Sequence, residues 1–328
     1  MSEQDVSEQA VSTSGIEDFE FVKQRNLWLD ALERLIRNRT AMFGLVICSI
    51  IIFIAIFGST LAPKDYLRTN ISNIAGGPST ENWLGTDLVG RDVISRLMHG
   101  ARTAVFAAAI TVILGNIIGI TAGALAGYMR GLIDDLIMRI TDILFSFPDF
   151  LFAAFLSASL RTPVVKLLGQ LKQKTGWEFL EQTIFLDYMI LFGALAMVNW
   201  SGTARMVRGQ ILSLREQDFV RAETALGMPT WLIIRKHLIP NSIAPVVVGV
   251  SAGIGGILLL ESSLSFLGLG IQPPAASWGD MINTALPLWR QFPWLVLLPG
   301  GTLAIAVFGF NYLGDGINDA LNPRQIQR

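Results

Sequence analysis

The sequence predicts an all-α integral membrane protein with six transmembrane helices. Hydrophobic residues make up 52% of the 328-residue chain and charged residues only 16%, and the mean hydropathy is +0.50. A soluble domain carries about 25% charged residues, so the chain is too apolar for that class. The net charge of −1 and the dispersed basic residues argue against nucleic acid as a partner. We therefore expect most of the chain to lie in a lipid bilayer.

Each predicted span is an apolar run near the ~20 residues that cross the hydrocarbon core of a bilayer. The runs cover residues 41–62, 104–128, 138–160, 186–203, 243–271 and 294–313. In the second run, glycines recur every fourth residue, at 115, 119, 123 and 127. This spacing puts them on one helix face and predicts close packing against another helix. Pro148 interrupts the third run and is expected to kink it, because proline lacks a backbone N–H group.

The regions outside the spans define the predicted domain organisation. Residues 1–40 form a cytoplasmic tail that contains an interfacial amphipathic helix, marked by Trp28 and Leu32, although a soluble helix packed on a neighbour fits the same pattern. Residues 41–102 hold the first span and an external loop, and residues 103–320 form a five-helix core. Residues 321–328 are a second cytoplasmic tail, and the polar insert 161–187 is expected outside the bilayer. The first 15 residues form no signal peptide, and Cys48, the single cysteine, excludes an intrachain disulfide.

The stretch 216–241 is polar and charged although it lies between two apolar spans. Asp218 is placed to cap a short helix over residues 219–226, Gly227 to end it and Pro229 to begin the next. The predicted helix has a small apolar face flanked by two charges. The face consists of Phe219, Ala222 and Leu226, and the charges are Arg221 and Glu223. Such a helix fits either a groove on another protein or the lipid headgroup region.

Several charged residues lie in or near the apolar runs. Glu261 is the most deeply placed, and it must be protonated and hydrogen-bonded, or paired across a subunit interface, because exposure to lipid is costly. Asp142 and Asp149 lie in the third run, where an interfacial carboxylate near a helix end is the favoured interpretation over a functional one. Near the first external loop, four charges are expected to pair among themselves. They are Asp87, Arg91, Asp92 and Arg96.

The sequence offers little support for an enzyme. The glycine-containing segment 83–102 lacks the G-K-[ST] ending of a phosphate-binding loop. Residues 249–253 match the G-x-S-x-G pattern of serine hydrolases, but His99 and His237 both fall in predicted loops, away from Ser251. Gly249 and Gly253 are better explained as a small-residue pair for helix packing. The sequence has no H-E-x-x-H motif and no set of cysteines for a metal.

Several segments resemble one transporter family. Ala222, Gly227, His237, Pro240 and Asn241 follow the pattern A-x4-G-x9-H-x2-P-N, which resembles the cytoplasmic loop of binding-protein-dependent ABC importer permeases. The segments WLGTDLVGRDVISRLMHGAR, MRITDILFSFPDFLFA and ESSLSFLGLGIQPPAASWGDMI are similar to the C-type permeases of dipeptide and oligopeptide importers. Arg221 and Glu223 stand where the family loop has glutamate and alanine, so this loop departs from the family pattern in charge.

The resemblance implies a type I importer permease fold and a set of partners. These are a second, homologous permease, two ATP-binding subunits, an extracytoplasmic peptide-binding protein and the lipid membrane. ATP and Mg²⁺ would bind to the ATPases, and no cofactor would bind to this chain. The loop 204–242 would face the cytoplasm, and its coupling residues would fit a cleft of the ATPase. These residues would be Asp218, Phe219, Arg221, Ala222, Glu223, Leu226 and Gly227.

The charge distribution agrees with this orientation, since more of the 25 Lys and Arg residues fall on the cytoplasmic side than outside. The alternative function is an ion-coupled secondary transporter that uses Glu261 and Asp149 as proton sites. Such a transporter is expected to have broken helices in two matching halves, and the sequence shows no such repeat.

Overall fold

The computed structural model describes residues 27–177 and 183–321, and the regular structure in these ranges is helical. The long helices are α2 (Arg39–Leu61), α3 (Val93–Met129), α5 (Asp149–Thr175), α6 (Thr183–Leu214), α9 (Ile239–Phe266) and α11 (Trp294–Leu321). The shorter ones are α1 (Leu27–Arg37), α4 (Leu132–Phe145), α7 (Asp218–Ala225), α8 (Thr230–Ile233) and α10 (Trp278–Ala285). A π-helical turn, Ile234–Leu238, joins α8 to α9, and two 3₁₀ turns cover Ile71–Asn73 and Leu286–Leu288.

Six helical segments of the described chain are long and apolar enough to cross a membrane, which confirms the predicted fold class. They correspond to α2, α3, α5, α6, the continuous segment from α8 to α9, and α11. Several are longer than the apolar runs. For example, α3 has 37 residues and α6 has 32. Polar residues at both ends of the bundle are therefore helical as well.

The third span differs from its prediction. Pro148 does not kink a continuous helix: α4 ends at Phe145, and a new helix, α5, begins at Asp149 directly after the proline. Pro148 has φ −57° and ψ 128°, and the extended ψ breaks the helical path. The expected insert also begins later, because α5 continues without interruption to Thr175. The remainder of the predicted insert includes residues 178–182, which lie outside the described residues.

Close packing of α3 on α6 is the largest helix contact in the bundle. A Cβ atom on Gly119 would lie 2.6 Å from the Thr203 side chain, and one on Gly123 would lie 2.4 Å from the Ala204 carbonyl oxygen. Gly115 and Gly127 face α6 in the same way. The prediction from the glycine spacing is confirmed, since all four residues let the two backbones approach closely.

The helices α2, α9 and α11 form a second packed group. Gly44 of α2 lies against Gly309 and Leu313 of α11, and Gly314 of α11 lies against the Ser251 carbonyl of α9. Beside α2, the short helix α1 rests on the end of α11, where Arg34 Nη1 donates to the Ala320 carbonyl at 3.4 Å. A helix is present here from Leu27 onward, while the earlier residues of the predicted helix and the Trp28 side chain lie outside the described part.

The bundle has two distinct ends. We call the end that carries residues 216–241 the loop end, and the opposite end, with residues 62–92 and 267–293, the cap end. At the cap end, Trp278 of α10 is 1% exposed, and its Nε1 donates to the Leu97 carbonyl of α3 at 3.1 Å. Thr103 Oγ1 donates to the Ala276 carbonyl at 2.9 Å. These bonds fix the cap on the first turns of α3.

Candidate functional site

The helix of the loop end, α7, has a well-defined end. Gly227 has φ +77°, a conformation that glycine adopts without steric cost. Its N–H donates to the Thr224 carbonyl and the Met228 N–H donates to the Glu223 carbonyl, both at 3.0 Å. These two bonds form a Schellman motif, which confirms Gly227 as the terminating residue. The N-terminal prediction is wrong by one residue: Gln217 occupies the N-cap, and Asp218 is the first helical residue.

The α7 helix has one anchored residue and an exposed apolar face. Val220 is 2% exposed and packs in a cluster with Ile211, Ile233 and Leu238. Val220 is not among the residues that the sequence pattern predicts for this helix face. On the other side, Leu226 is 86% exposed and Phe219 is 40% exposed, and Ala222 is exposed as well. The predicted apolar face thus points away from the bundle, and the bundle fixes its direction through Val220.

The two charges beside this face have different environments. The Arg221 side chain is 64% exposed. The Glu223 side chain is only 16% exposed and turns toward the π-helical turn, where its Oε1 lies 3.1 Å from His237 Nε2. The His237 ring also lies 6.5 Å from the Phe219 ring. Glu223 therefore lies against His237 of its own chain, whereas Arg221 is the more exposed of the two charges and pairs with Glu216 through its Nη2 atom, at 3.2 Å.

Glu216 links α7 to the ends of α3 and α6, a role that sequence analysis missed. Its carboxylate lies 2.9 Å from Arg130 Nη2, 3.2 Å from Arg221 Nη2 and 3.3 Å from Arg215 Nε. The hydrogen bond from Arg221 is the main reason why the pKa of Glu216 lies below its ordinary value. Arg215 also donates to the carbonyls of Gly127 and Tyr128 at the end of α3.

A cavity of about 550 Å³ lies halfway along the bundle. Its walls come from the middle of α3 (Thr111), α6 (Asn199) and α9 (Gly253), together with the start of α5 (Asp149). Asp149 is exposed on the chain surface. The break between α4 and α5 thus brings this carboxylate to the cavity. The expectation of a kinked but continuous helix did not include this placement of Asp149.

Glu261 is fully buried in α9, with 0% exposure. Its carboxylate oxygens accept hydrogen bonds from Ser262 Oγ at 3.0 Å and Ser265 Oγ at 2.9 Å. Of the two states expected from sequence, the hydrogen-bonded one agrees with this geometry. Pairing across a subunit interface does not, because the carboxylate is enclosed within its own chain.

The charges at the cap end pair mostly as predicted. Arg91 Nε lies 2.7 Å from the Asp87 carboxylate, and Arg96, whose side chain is 1% exposed, lies 3.5 Å from it. Asp92 does not join this network, because it caps α3 by accepting from the N–H of Ser95 at 2.9 Å. Asp280 of α10 takes its place, 3.5 Å from Arg96 Nη2. Burial raises the pKa of Asp280 above its ordinary value.

The serine of the G-x-S-x-G match has no histidine beside it. Ser251 Oγ donates to the Val247 carbonyl of its own helix. His99 stacks on Tyr66 at 3.6 Å, while His237 belongs to the loop end. The packing explanation holds for Gly249, where a Cβ atom would lie 2.8 Å from Met206 Cε of α6. It is wrong for Gly253, where among the described residues no atom lies within 4 Å of a Cβ position. Within the described ranges, the structure also has no cluster of His, Cys, Asp and Glu that could hold a metal ion.

Comparison with known proteins identifies the family. Residues 119–327 match the profile of the binding-protein-dependent transport system inner membrane component, and residues 26–78 match the N-terminal transmembrane domain of oligopeptide transport permease C. The chain belongs to this permease family. The permease shares the family's type I fold and its place in the inner membrane, as a protein that crosses the bilayer several times.

The permease is similar in sequence to several relatives over nearly their whole length. It is 38% identical to the dipeptide transport system permease protein DppC of Alkalihalophilus pseudofirmus over 90% of both chains. It is 35% identical to the oligopeptide transport system permease protein OppC of Bacillus subtilis, over 92% of this chain and 91% of that one. The identity with OppC of Haemophilus influenzae is 37%, over 92% and 89% of the two chains.

Proposed function

We propose that this chain is the transmembrane subunit of an ATP-driven importer of peptides. The relatives named above are dipeptide and oligopeptide permeases, and the similarity covers the loop end, the bundle and the cap. The proposed complex contains a second permease, two ATP-binding subunits and an extracytoplasmic peptide-binding protein. The chain itself binds no nucleotide, and ATP with Mg²⁺ binds to the partner ATPases.

The exposed apolar face of α7 is the observation that carries the coupling role. Phe219, Ala222 and Leu226 form a small surface of the kind that fits a groove on another protein. Val220 holds that surface in a fixed direction relative to α6 and α9. A movement of the ATPase against α7 would therefore move the bundle and not only the loop.

In the proposed mechanism, ATP closes the ATPase dimer and draws α7 toward its counterpart in the second permease. The packed helices transmit this movement and open the pathway toward the outside, and hydrolysis reverses it. The loop end faces the cytoplasm in this arrangement. The chemistry takes place in the ATPases, and this chain contributes only packing and a pathway.

The second candidate function is a secondary transporter driven by an ion gradient. The broken helix at 146–148 and the carboxylate of Asp149 favour it, because transporters of that class use such breaks. Uptake that continues without the ATPases and stops when the proton gradient collapses would support it.

The function is tested by gentle purification of the tagged chain from its native membrane, with mass spectrometry of the proteins that co-elute. We expect a second permease and two ATPases in stoichiometric amounts. A single introduced cysteine at residue 226 tests the orientation. Its labelling by an impermeant thiol reagent from outside intact cells would contradict the proposed coupling role.

A further inference from the structure

The cavity halfway along the bundle contains an unusual set of polar groups. Among the described residues that line it, Asp149 is the charged one, and the others are apolar, small or neutral. The volume of about 550 Å³ lies within the ~300–1,000 Å³ that small-molecule sites occupy. The cavity is thus large enough for a ligand and carries a negative charge at one point of its wall.

The carboxylate of Asp149 differs from the other acidic groups nearby. On α4, Asp134 forms a two-bond pair with Arg208, and Asp142 lies 2.8 Å from Arg205 Nη2. In the described part of the chain, Asp149 forms no ion pair with Lys, Arg or His. A carboxylate at this depth needs water or a cation as a partner, because unpaired charge inside a bilayer is costly.

A second polar group of the cavity wall also lacks a partner. Thr111 is 1% exposed, and among the described residues its Oγ1 atom makes no hydrogen bond. Leaving such a buried hydroxyl unpaired costs free energy. Thr111 lies in the α3 wall of the cavity that Asp149 of α5 also lines, so its enclosed hydroxyl adds a polar group to that wall but is not open to a ligand.

The position of the break explains how Asp149 reaches this depth. Residues 146–148 separate α4 from α5 beside the middle of α6, since Phe145, Asp149 and Asn199 line the same cavity. Irregular backbone inside a membrane is tolerated where it lines a water-filled space. The negative charge also suits the first turn of α5, where the helix dipole is positive.

We propose that Asp149, with Asn199 of α6, forms a subsite that holds a side-chain ammonium group of the cargo halfway across the membrane. The carboxylate would neutralise the cation, and the side-chain oxygen atom of Asn199 would accept one of its N–H donors. The apolar wall formed by Leu195, Ile257 and Leu260 would contact the rest of the peptide. This proposal rests on the peptide-importer function given above.

The test uses the complete importer, with its second permease, ATPases and binding protein, reconstituted in proteoliposomes. The measured quantity is the ratio of ATP-driven maximal uptake rates for the peptides Ala-Lys-Ala and Ala-Glu-Ala. Because the same binding protein serves all variants, its own preference cancels when ratios are compared. We expect Asp149→Asn to lower the ratio about fivefold, which corresponds to ~1 kcal/mol, and Asp149→Lys to lower it further.

Two control variants separate charge recognition from structural damage. Asp149→Glu keeps the charge and should keep most of the ratio. Asp135→Asn removes an exposed charge on α4 away from the cavity, and the ratio should not change. An unchanged ratio in Asp149→Asn, or an equal fall for both peptides, would overturn the subsite. If wild-type uptake depended on a proton gradient and Asp149→Asn removed that dependence, Asp149 would be a proton site and the ammonium subsite would be overturned. Failure of the wild-type complex to import either peptide with ATP would instead refute the underlying function.

Discussion

Four glycines of α3 and two glycines of α9, Gly253 and Gly256, have opposite environments. On α3, residues 115, 119, 123 and 127 all face α6, and a Cβ atom at any of them would lie 3.3 Å or less from an α6 atom. On α9, Gly253 and Gly256 have no atom within 4 Å of a Cβ position in the described structure. Both of these glycines line the cavity halfway along the bundle.

The difference shows that small residues serve two purposes in this permease. On α3 they allow two helices of one chain to approach, and their loss would affect folding. At residues 253 and 256 of α9 they leave space beside the cavity, and we expect their loss to affect transport. The α7 helix repeats the contrast on a smaller scale, with Val220 packed into the bundle and Ala222 exposed. The predictions that follow compare packed positions with open ones.

The largest expected effect is that of Gly123→Leu. The new side chain would begin 2.4 Å from the Ala204 carbonyl oxygen of α6, and overpacking of this kind costs about 1–3 kcal/mol or more. We expect little folded protein in the membrane, measured by the monodisperse fraction after detergent extraction. If the variant had the same yield and melting temperature as the wild type, the packed role of the α3 glycines would be contradicted.

Substitutions at the exposed side of α7 should abolish coupling without preventing insertion. Gly227→Pro removes the N–H that donates to Thr224 and cannot adopt φ +77°. Ala222→Asp places a charge in the apolar face. For both variants we expect normal membrane levels but loss of peptide-stimulated ATP hydrolysis and uptake. Normal ATP-dependent uptake by either variant would show that this face does not transmit the movement.

Gly253→Leu is expected to leave the chain folded and to slow transport. The side chain would occupy the cavity, and a steric penalty of ~1–3 kcal/mol would lower the uptake rate about tenfold or more. Gly301→Leu is a matched control, because Gly301 of α11 is also exposed and unpacked but is not among the cavity-lining residues. Equal uptake by the two variants would mean that the open face of α9 does not border the pathway.

The smallest effect is expected for Glu216→Gln at the loop end. The Glu216 side chain is 49% exposed, so its three ion pairs are screened by solvent. Because the pKa of Glu216 is lowered in the folded protein, its contribution is present above the ordinary glutamate pKa and is lost as the pH falls through the lowered value. We therefore expect the melting temperatures of wild type and variant to differ slightly at neutral pH and to converge in strong acid.

Sequence periodicity predicted those features that depend on neighbours along the chain. The six spans, the α3 glycine row and the Gly227 terminator each depend on local spacing, and the structure confirms them. Features that depend on distant residues were missed or wrong. The pairing of Arg96 with Asp280 and that of Glu216 with Arg130 join segments far apart in sequence.

The third span shows how a local rule can fail. Pro148 predicts a disturbance, but the sequence does not show whether the helix bends or restarts. In the structure the helix restarts, and α4 forms two ion pairs with Arg205 and Arg208 of α6 through Asp142 and Asp134. These tertiary pairs fix α4 separately from α5. The cavity position of Asp149 follows from that arrangement and not from the proline alone.

The length of α3 has a mechanical consequence. Its 37 residues extend about 55 Å, nearly twice the ~30 Å hydrocarbon thickness. Leu97 near its beginning binds Trp278 of the cap, and Tyr128 near its end binds Arg215 beside α7. In the proposed importer, this one stiff rod would connect the two aqueous compartments, so a tilt imposed on it by a docked receptor outside would reach the nucleotide-driven motor inside without any intervening hinge.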